Sequence, residues 1–341
     1  MNSHAEGTST IVNGLHSHAE GLSVTVNGNC AHGEGAVTEV SGDYAHAEGY
    51  CTKASASAAH AEGSDTLANA HCSHAEGNGV EATGASAHAE GTNTTAHGGS
   101  SHSEGQFTVA NGNMSHAEGN RTAARGISSH AEGHYAEAIG DFSHVEGQET
   151  FSAAPAAHAE GSLTQAGTTN EVTDDGTVWT SGLGCHSEGY KTVAGGFSSH
   201  AEGRHTRAVE TGAHAEGRDT QATKEEAHAE GRQTQATGNY SHSEGYITTA
   251  SGAAAHAEGQ NTTASGQNSH AEGYYAGATG YGSHAEGGRT AASNNYTHAE
   301  GYQTTASGVQ AHAENEGTTA SAQDTHAEGY FTTASGFGAH A

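Results

Sequence analysis

Small apolar and polar residues alternate along this chain in a pattern that returns every 14 residues. The motif Ser-His-Ala-Glu-Gly first stands at residues 3–7, and His fills 24 of the 25 places reached in steps of 14 from His4 to His340. Val172 is the exception. A fixed period predicts a repeat architecture in which each unit buries its apolar side chains only by stacking on its neighbours. We therefore predict a single repeat domain over residues 1–341, with about 25 coils and a degenerate coil near residues 162–185.

Each repeat predicts two short strands. In residues 256–269 these are Ser-His-Ala-Glu-Gly and Thr-Thr-Ala-Ser-Gly, and both end in Gly, which permits a tight corner. Side chains alternate along a strand, so the small residues on either side of His share one face, and His and Glu share the other. In the second strand Thr262 and Ala264 share the inner face. Abundant β-branched Thr and the paired glycines exclude a helical interpretation of the same period.

The composition bounds what such a chain does. With 51 Gly, one Pro and 32% hydrophobic residues, the chain lacks the large side chains of an ordinary core, and the period alone argues against disorder. Small residues at fixed positions predict an all-β solenoid with a very thin core. The formal charge is −29 with only ten Lys and Arg, which excludes a nucleic-acid surface. No apolar run has membrane length, so we expect no membrane insertion.

The His and Glu columns are the candidate interaction site. Outward columns of a solenoid usually vary, as the second strand does here with Lys53, Leu67 and Phe151 in one column. Invariance of an outward face within one chain is most simply explained by burial against identical copies. We therefore predict a subunit interface made by paired residues in successive repeats: His4, Glu6, His18, Glu20, His46, Glu48, His60, Glu62, His88, Glu90, His116, Glu118, His130, Glu132, His200, Glu202, His214, Glu216, His256, Glu258, His270, Glu272, His298, Glu300, His326 and Glu328.

The repeat frame Ser-x-Ala-x-Gly-x-x-Thr-x-Ala-x-Gly resembles the head repeat of trimeric autotransporter adhesins such as the Yersinia adhesin. The His-Ala-Glu-Gly version is more similar to repeats in phage tail or neck appendage proteins of Gram-positive hosts. The resemblance implies a left-handed parallel β-roll of 14-residue coils, assembled as a homotrimeric rod. It also implies an extracellular place, at a virion or cell surface, and a mechanical role in spacing, display and adhesion. A host or matrix receptor, or a glycan, would be the partner.

Several chemistries are open for the two columns. In the first, Glu raises the pKa of the neighbouring His, and protonation of the 24 in-register histidines would change the charge from −29 to −5 (−29 + 24 = −5). In the second, the imidazoles bind a divalent transition metal with Glu in support. A third, lattice binding by the Thr and Ser columns of the last third, is weaker. Twenty-three identical pairs are typical of a scaffold, so we predict that the chain is not an enzyme.

Three irregular features stand outside the columns. Trp179, the only Trp, falls in an outward position and is a candidate partner contact. Tyr recurs at the corner after Gly, where we expect packing between subunits or stacking on sugars. Arg204, Arg218 and Arg232 share that corner, and we expect Glu210, Asp219, Glu225 and Glu226 to compensate their charge, with an acidic-glycan site left open. End-to-end stacking into an extracellular filament is the alternative to the trimer.

Overall fold

Over most of the described residues, each 14-residue repeat forms one turn of a parallel β-solenoid of about 23 turns. The structure is a computed structural model that describes residues 2–167, 171–172, 178–179 and 182–341, with the side chains of 171, 172, 178 and 179 excluded. The predicted all-β parallel solenoid with 14-residue coils is confirmed. The described residues contain strands and turns and no helix.

The first compact unit is Met1–Leu163. Every turn has one long and one short strand, joined by corners. The long strands are His4–Thr8, His18–Leu22, His32–Ala36, His46–Tyr50, His60–Ser64, His74–Asn78, His88–Thr92, His102–Gln106, His116–Asn120, His130–His134, His144–Gln148 and His158–Ser162. The short strands are Ile11–Val12, Thr25–Val26, Glu39–Val40, Lys53–Ala54, Leu67–Ala68, Glu81–Ala82, Thr95–Ala96, Val109–Ala110, Ala123–Ala124, Glu137–Ala138 and Phe151–Ser152.

The second compact unit is Thr164–Ala341 and repeats the same turn. Its His-initiated strands are His186–Tyr190, His200–Arg204, His214–Arg218, His228–Arg232, His242–Tyr246, His256–Gln260, His270–Tyr274, His284–Gly288, His298–Tyr302, His312–Ala313 and His326–Ala327. Its short strands are Gln165–Ala166, Val193–Ala194, Arg207–Ala208, Gln221–Ala222, Gln235–Ala236, Thr249–Ala250, Thr263–Ala264, Gly277–Ala278, Ala291–Ala292, Thr305–Ala306, Thr319–Ala320 and Thr333–Ala334. Glu171–Val172 and Val178–Trp179 form a separate pair.

Successive turns pair in register, so every residue lies beside its equivalent in the next turn. His88 pairs with His102, and Gly91 pairs with Gly105. The backbone N–H of His88 donates to the carbonyl of Ser101 at 2.9 Å. Because parallel pairing has a constant offset of one repeat, it places identical side chains in continuous columns along each unit.

The strands differ in length from the prediction. The long strand begins at His, not at the preceding Ser or Ala, and the second strand has two residues instead of five. The corner between them explains the difference. Its second residue, Asn93 in one turn, has a positive φ of 52° and donates its N–H to Asn78 of the preceding turn at 2.8 Å. A left-handed residue ends the extended conformation on both sides of the corner.

The interior columns are those that the sequence predicts. Residues before and after His, and the Thr and Ala of the second strand, are buried in successive turns. Variation inside the core is compensated locally: where Ser replaces the Ala after His, its hydroxyl lies 2.8 Å from the hydroxyl of the facing Thr, as in the pair Ser103 and Thr108. The same pairing occurs between Ser187 and Thr192. At these two places the additional buried hydroxyl therefore has a hydrogen-bond partner in reach.

The region of the missing His does not form a coil where the structure describes it. Gln165 pairs directly with Val193, 28 residues away, so the adjoining turns of this sheet meet without an intervening one. Glu171–Val172 pairs with Val178–Trp179 in the antiparallel sense. The predicted degenerate coil is therefore wrong for these residues, because a coil of this fold pairs in parallel. The predicted outward position of Trp179 concerns a side chain outside the described residues.

Within the described ranges, no helix has the length and apolar character needed to cross a membrane.

The Gly that ends the long strand gives the first testable prediction. Gly91 has a φ of +116°, and a Cβ added there would lie 2.1 Å from the carbonyl oxygen of Gly105 in the next turn. Gly329 has a similar φ of +101°, but its nearest neighbour would be a side-chain methyl of Thr332 at 3.6 Å. We expect Gly329→Ala to lower the free energy of unfolding by about 1–3 kcal/mol through strain in the backbone conformation alone. Gly91→Ala should lower it further, because its Cβ would also meet the next turn.

Urea unfolding and amide hydrogen exchange measure the difference. Exchange in Gly91→Ala should accelerate first in the strands His88–Thr92 and His102–Gln106, because solenoid turns contact only their neighbours. Equal losses in the two variants would show that the approach of adjacent turns does not require the Gly.

The left-handed corners give a second prediction. Ile247 has a φ of 56° and is 41% exposed, whereas Ile127 is 42% exposed and does not have a positive φ. A β-branched side chain in the left-handed region is strained by about 1–2 kcal/mol, and Asn tolerates this conformation. We expect Ile247→Asn to raise the free energy of unfolding by about 1 kcal/mol, and Ile127→Asn to leave it unchanged or lower it. A gain in both variants would assign the effect to reduced surface hydrophobicity.

Candidate functional site

The His and Glu columns form one outward face in each unit. They occupy alternate positions of the long strand, and Ala between them points inward. In a typical turn the His130 side chain is 33% exposed and the Glu132 side chain is 47% exposed. The predicted ladder residues therefore come together within each unit as two parallel rows, neither buried in its own chain nor fully solvated.

The imidazole rings stack along the row. Ring centroids of adjacent histidines lie between 4.5 Å, for His60 and His74, and 5.2 Å, for His4 and His18. The rings are close to parallel in many steps, with an interplanar angle of 3° between His270 and His284. The stack follows from the in-register pairing, which leaves each ring no neighbour along the axis except another imidazole.

Each His lies beside the Glu of its own turn at the limit of hydrogen bonding. The distance from His Nε2 to Glu Oε2 is 3.4 Å in the pair His200 and Glu202, and 3.9 Å in the pair His144 and Glu146. In many turns Nε2 is shielded from solvent and has no hydrogen-bond partner within range, and these include His88, His116, His256 and His284. A buried polar atom without a partner costs about 1–3 kcal/mol. This face therefore has a ring nitrogen that lacks a hydrogen bond in many of its turns.

The electrostatics differ from the sequence-based expectation. Partial burial of the ring, followed by the charge of adjacent imidazoles, lowers the pKa of seven histidines in this row, and the neighbouring Glu opposes the shift without reversing it. The histidines with a lowered pKa are His46, His74, His102, His228, His242, His270 and His298. The predicted net rise of the His pKa is wrong for these residues, because burial of the ring and repulsion between stacked imidazolium ions outweigh the raising effect of Glu.

The seven histidines with a lowered pKa are neutral at pH 7 and leave the chain acidic. These histidines do not contribute the positive charge that would reduce −29 towards −5. A neutral imidazole donates one hydrogen bond and accepts one, so we infer that the Nε2–H tautomer faces Glu. In each such turn, a neutral N–H donor of His lies beside the Glu carboxylate.

One turn departs from the rows in a way that the sequence did not reveal. Asn315 stands in the place of the usual Gly, and the strand there shortens to His312–Ala313. The Glu314 carboxylate consequently accepts a hydrogen bond from Nε2 of His326 in the next turn at 3.1 Å, which lowers the pKa of Glu314. The only signal in the sequence was the missing Gly.

Two clusters have ligand types suited to a transition metal. They are His298, Glu300 and His312, and His326, Glu328 and His340, with one ligand atom of each residue within 4.8 Å of the others. Stacked parallel rings direct their nitrogen lone pairs along parallel lines. The ring planes of His298 and His312, for example, make an angle of 3°. A shared ion at about 2.0–2.1 Å from each nitrogen would require these rings to tilt towards each other.

The lowered pKa values predict acid sensitivity. Because the folded-state pKa lies below the unfolded value of 6.5, the unfolded chain binds more protons as the pH falls through 6.5. We therefore expect resistance to urea to be constant above about pH 6.5 and to decrease from there towards pH 5. A triple variant with His46→Asn, His74→Asn and His102→Asn should lose less of its urea resistance over this pH range.

A control triple variant changes histidines outside the row, His16→Asn, His97→Asn and His134→Asn, and should keep the slope of the parent chain. A decrease in stability as the pH rises from 6 to 8 would contradict neutral histidines. It would support the protonated His and Glu pairs of the first prediction instead.

Comparison with known proteins adds no relative: no model of a known protein family matches the chain, and no curated protein is significantly similar to it.

Proposed function

We propose that this chain is the repeat segment of a structural and adhesive fibre. It forms a homotrimeric, left-handed β-roll rod whose subunits meet along the His and Glu rows. Such a rod serves a phage tail appendage or a surface adhesin and stands outside the cell, on a virion or cell surface. It acts by spacing and display, not by catalysis. The resemblance of the repeat frame to adhesin heads and phage appendages supports this assignment.

One observation carries the proposal: the long strand presents half-exposed His and Glu in turn after turn, with shielded Nε2 atoms that have no partner. A second surface laid against the rows would exclude water and bring the pairs closer. The distance of 3.6 Å between His116 Nε2 and Glu118 Oε2 needs only a few tenths of an ångström to become a hydrogen bond. In a dry seam such a bond to a carboxylate contributes about 1.5–3 kcal/mol.

The other outward column does not have this character. In the second strand it holds Glu81, Thr95, Val109 and Ala123 in four consecutive turns, with no common chemistry. Identical subunits that met there would bring together a different set of side chains in each layer. The uniform face is therefore the better candidate for contact between identical copies.

Native mass spectrometry and sedimentation at pH 7.5 test the proposal. We expect a particle of three 34.2 kDa chains. In the variant Glu104→Gln, Glu118→Gln and Glu132→Gln, the trimer should dissociate at a lower urea concentration, because charged hydrogen bonds along the seam become neutral. A control variant with Glu81→Gln, Glu149→Gln and Glu225→Gln changes exposed residues off the rows and should match the parent chain.

A monomeric mass across the accessible concentration range would refute the trimer. An open series of masses without closure at three would favour the end-to-end filament instead. Equal dissociation of the two variants would leave a trimer but remove the His and Glu rows from its interface.

A further inference from the structure

A column of five residues at one corner combines arginines with tyrosines. Tyr190 pairs in register with Arg204, Arg204 with Arg218, Arg218 with Arg232, and Arg232 with Tyr246. The column thus has three arginines in the middle and one aromatic ring at each end. Paired strands lie about 4.8 Å apart, so the three guanidinium groups belong to successive layers of one edge.

This edge concentrates positive charge in an acidic chain. Five of the ten Lys and Arg residues lie on this corner and the strand that follows it: Lys191, Arg204, Arg207, Arg218 and Arg232. The four arginines are exposed. Like charges placed directly opposite on neighbouring strands destabilise a sheet, so the fold does not benefit from this arrangement by itself.

The expected compensation is largely missing. Arg218 Nε lies 3.4 Å from Asp219 Oδ2, and Asp219 also contacts His205 at 3.0 Å. Among the described residues, no carboxylate forms an ion pair with Arg204 or Arg232, and the predicted compensation by Glu210, Glu225 and Glu226 is wrong as far as direct ion pairs are concerned. The guanidinium groups of Arg204 and Arg232 therefore have no carboxylate at ion-pair distance among the described residues.

The terminal tyrosines hold the outer guanidinium groups. The Arg232 guanidinium lies 5.2 Å from the ring centre of Tyr246, and that of Arg204 lies 5.9 Å from Tyr190. Lys191 also lies over Tyr190, at 5.4 Å. Cation–π contacts restrict the side chains while leaving the donors of the guanidinium fork free to bind a planar anion.

We propose that the Tyr190–Tyr246 column, defined by Tyr190, Arg204, Arg218, Arg232 and Tyr246, binds an acidic polysaccharide that carries carboxylate or sulfate groups. Each guanidinium offers paired donors to one anionic group. The layered spacing suits a polymer whose charges repeat along its length, and the tyrosine rings restrain the outer guanidinium groups that would bind it. As the adhesive contact of the fibre, the site rests on the proposed function, but its chemistry depends only on this chain.

Nucleic acid is the weaker candidate for the same charges. Its phosphates attract a protein through a basic field that extends over a domain, and this chain, with a charge of −29, has no such field. A short column of arginines with aromatic rings at its ends is suited to local contacts instead. We therefore treat binding of single-stranded DNA as an outcome that the experiment must separate.

Binding to three polymers with a common backbone tests the proposal: dextran, carboxymethyl-dextran and dextran sulfate, immobilised on a biosensor. We expect binding to one or both charged polymers, none to dextran, and weaker binding as NaCl rises from about 50 to 200 mM. The two charged polymers distinguish carboxylate from sulfate as the preferred group. The variant Arg204→Gln, Arg218→Gln and Arg232→Gln should bind at least about tenfold more weakly.

The control variant is Arg121→Gln, Arg125→Gln and Arg289→Gln, which has the same net charge without changing the column, and it should bind as the parent chain does. Tyr190→Ala with Tyr246→Ala should weaken binding at constant charge. Equal binding by the two arginine variants, absence of binding to both charged polymers, or tighter binding of oligo(dT) would each overturn the proposal.

The mass of each variant is measured in the same buffer. A parent chain that is trimeric but does not bind the charged polymers would count against the column alone. A parent chain that is monomeric and binds them would count against the trimer alone.

Discussion

In-register backbone hydrogen bonding between identical turns is the constraint on which the other features of this chain depend. It fixes the offset at one repeat, and so brings every residue beside its own equivalent. Gly at the end of the long strand makes this approach possible, because the carbonyl oxygen of the next Gly occupies the space that a Cβ would need. Small residues inside then follow, since only they fit between the strands of so short a turn.

Pairing of like with like has opposite consequences for different side chains. Ala on Ala and Thr on Thr fill a thin core at no electrostatic cost. His on His is compatible with the stack as long as the imidazoles stay neutral, and the lowered pKa of His74 or His242 reflects that condition. Arg on Arg has no neutral form in the physiological range. Of these columns, the arginine column is therefore the one that the requirements of folding explain least.

The sequence predicted the fold class and the interior because both depend on volume and period. Only small residues recur beside His, and alternation then sets which side chains face out. It did not predict the short second strand, because the left-handed conformation of residues such as Asn93 has no clear marker in a corner that accepts many residue types. It also did not predict the antiparallel pairing of Glu171–Val172 with Val178–Trp179, since the phase of the repeat is unchanged across that segment.

The state of the His and Glu rows illustrates a further limit of sequence reasoning. Placing Glu two residues after His correctly indicated a close pair, but the direction of the pKa shift depends on competing neighbours. Each imidazole has one carboxylate at its side and an imidazole on each face, and it is partly shielded from water. Burial and like neighbours together exceed the effect of Glu in rows such as that around His102. A seam built from neutral imidazole donors and carboxylate acceptors avoids the repulsion that a protonated stack would bring, and this makes the rows compatible with a dry interface between copies.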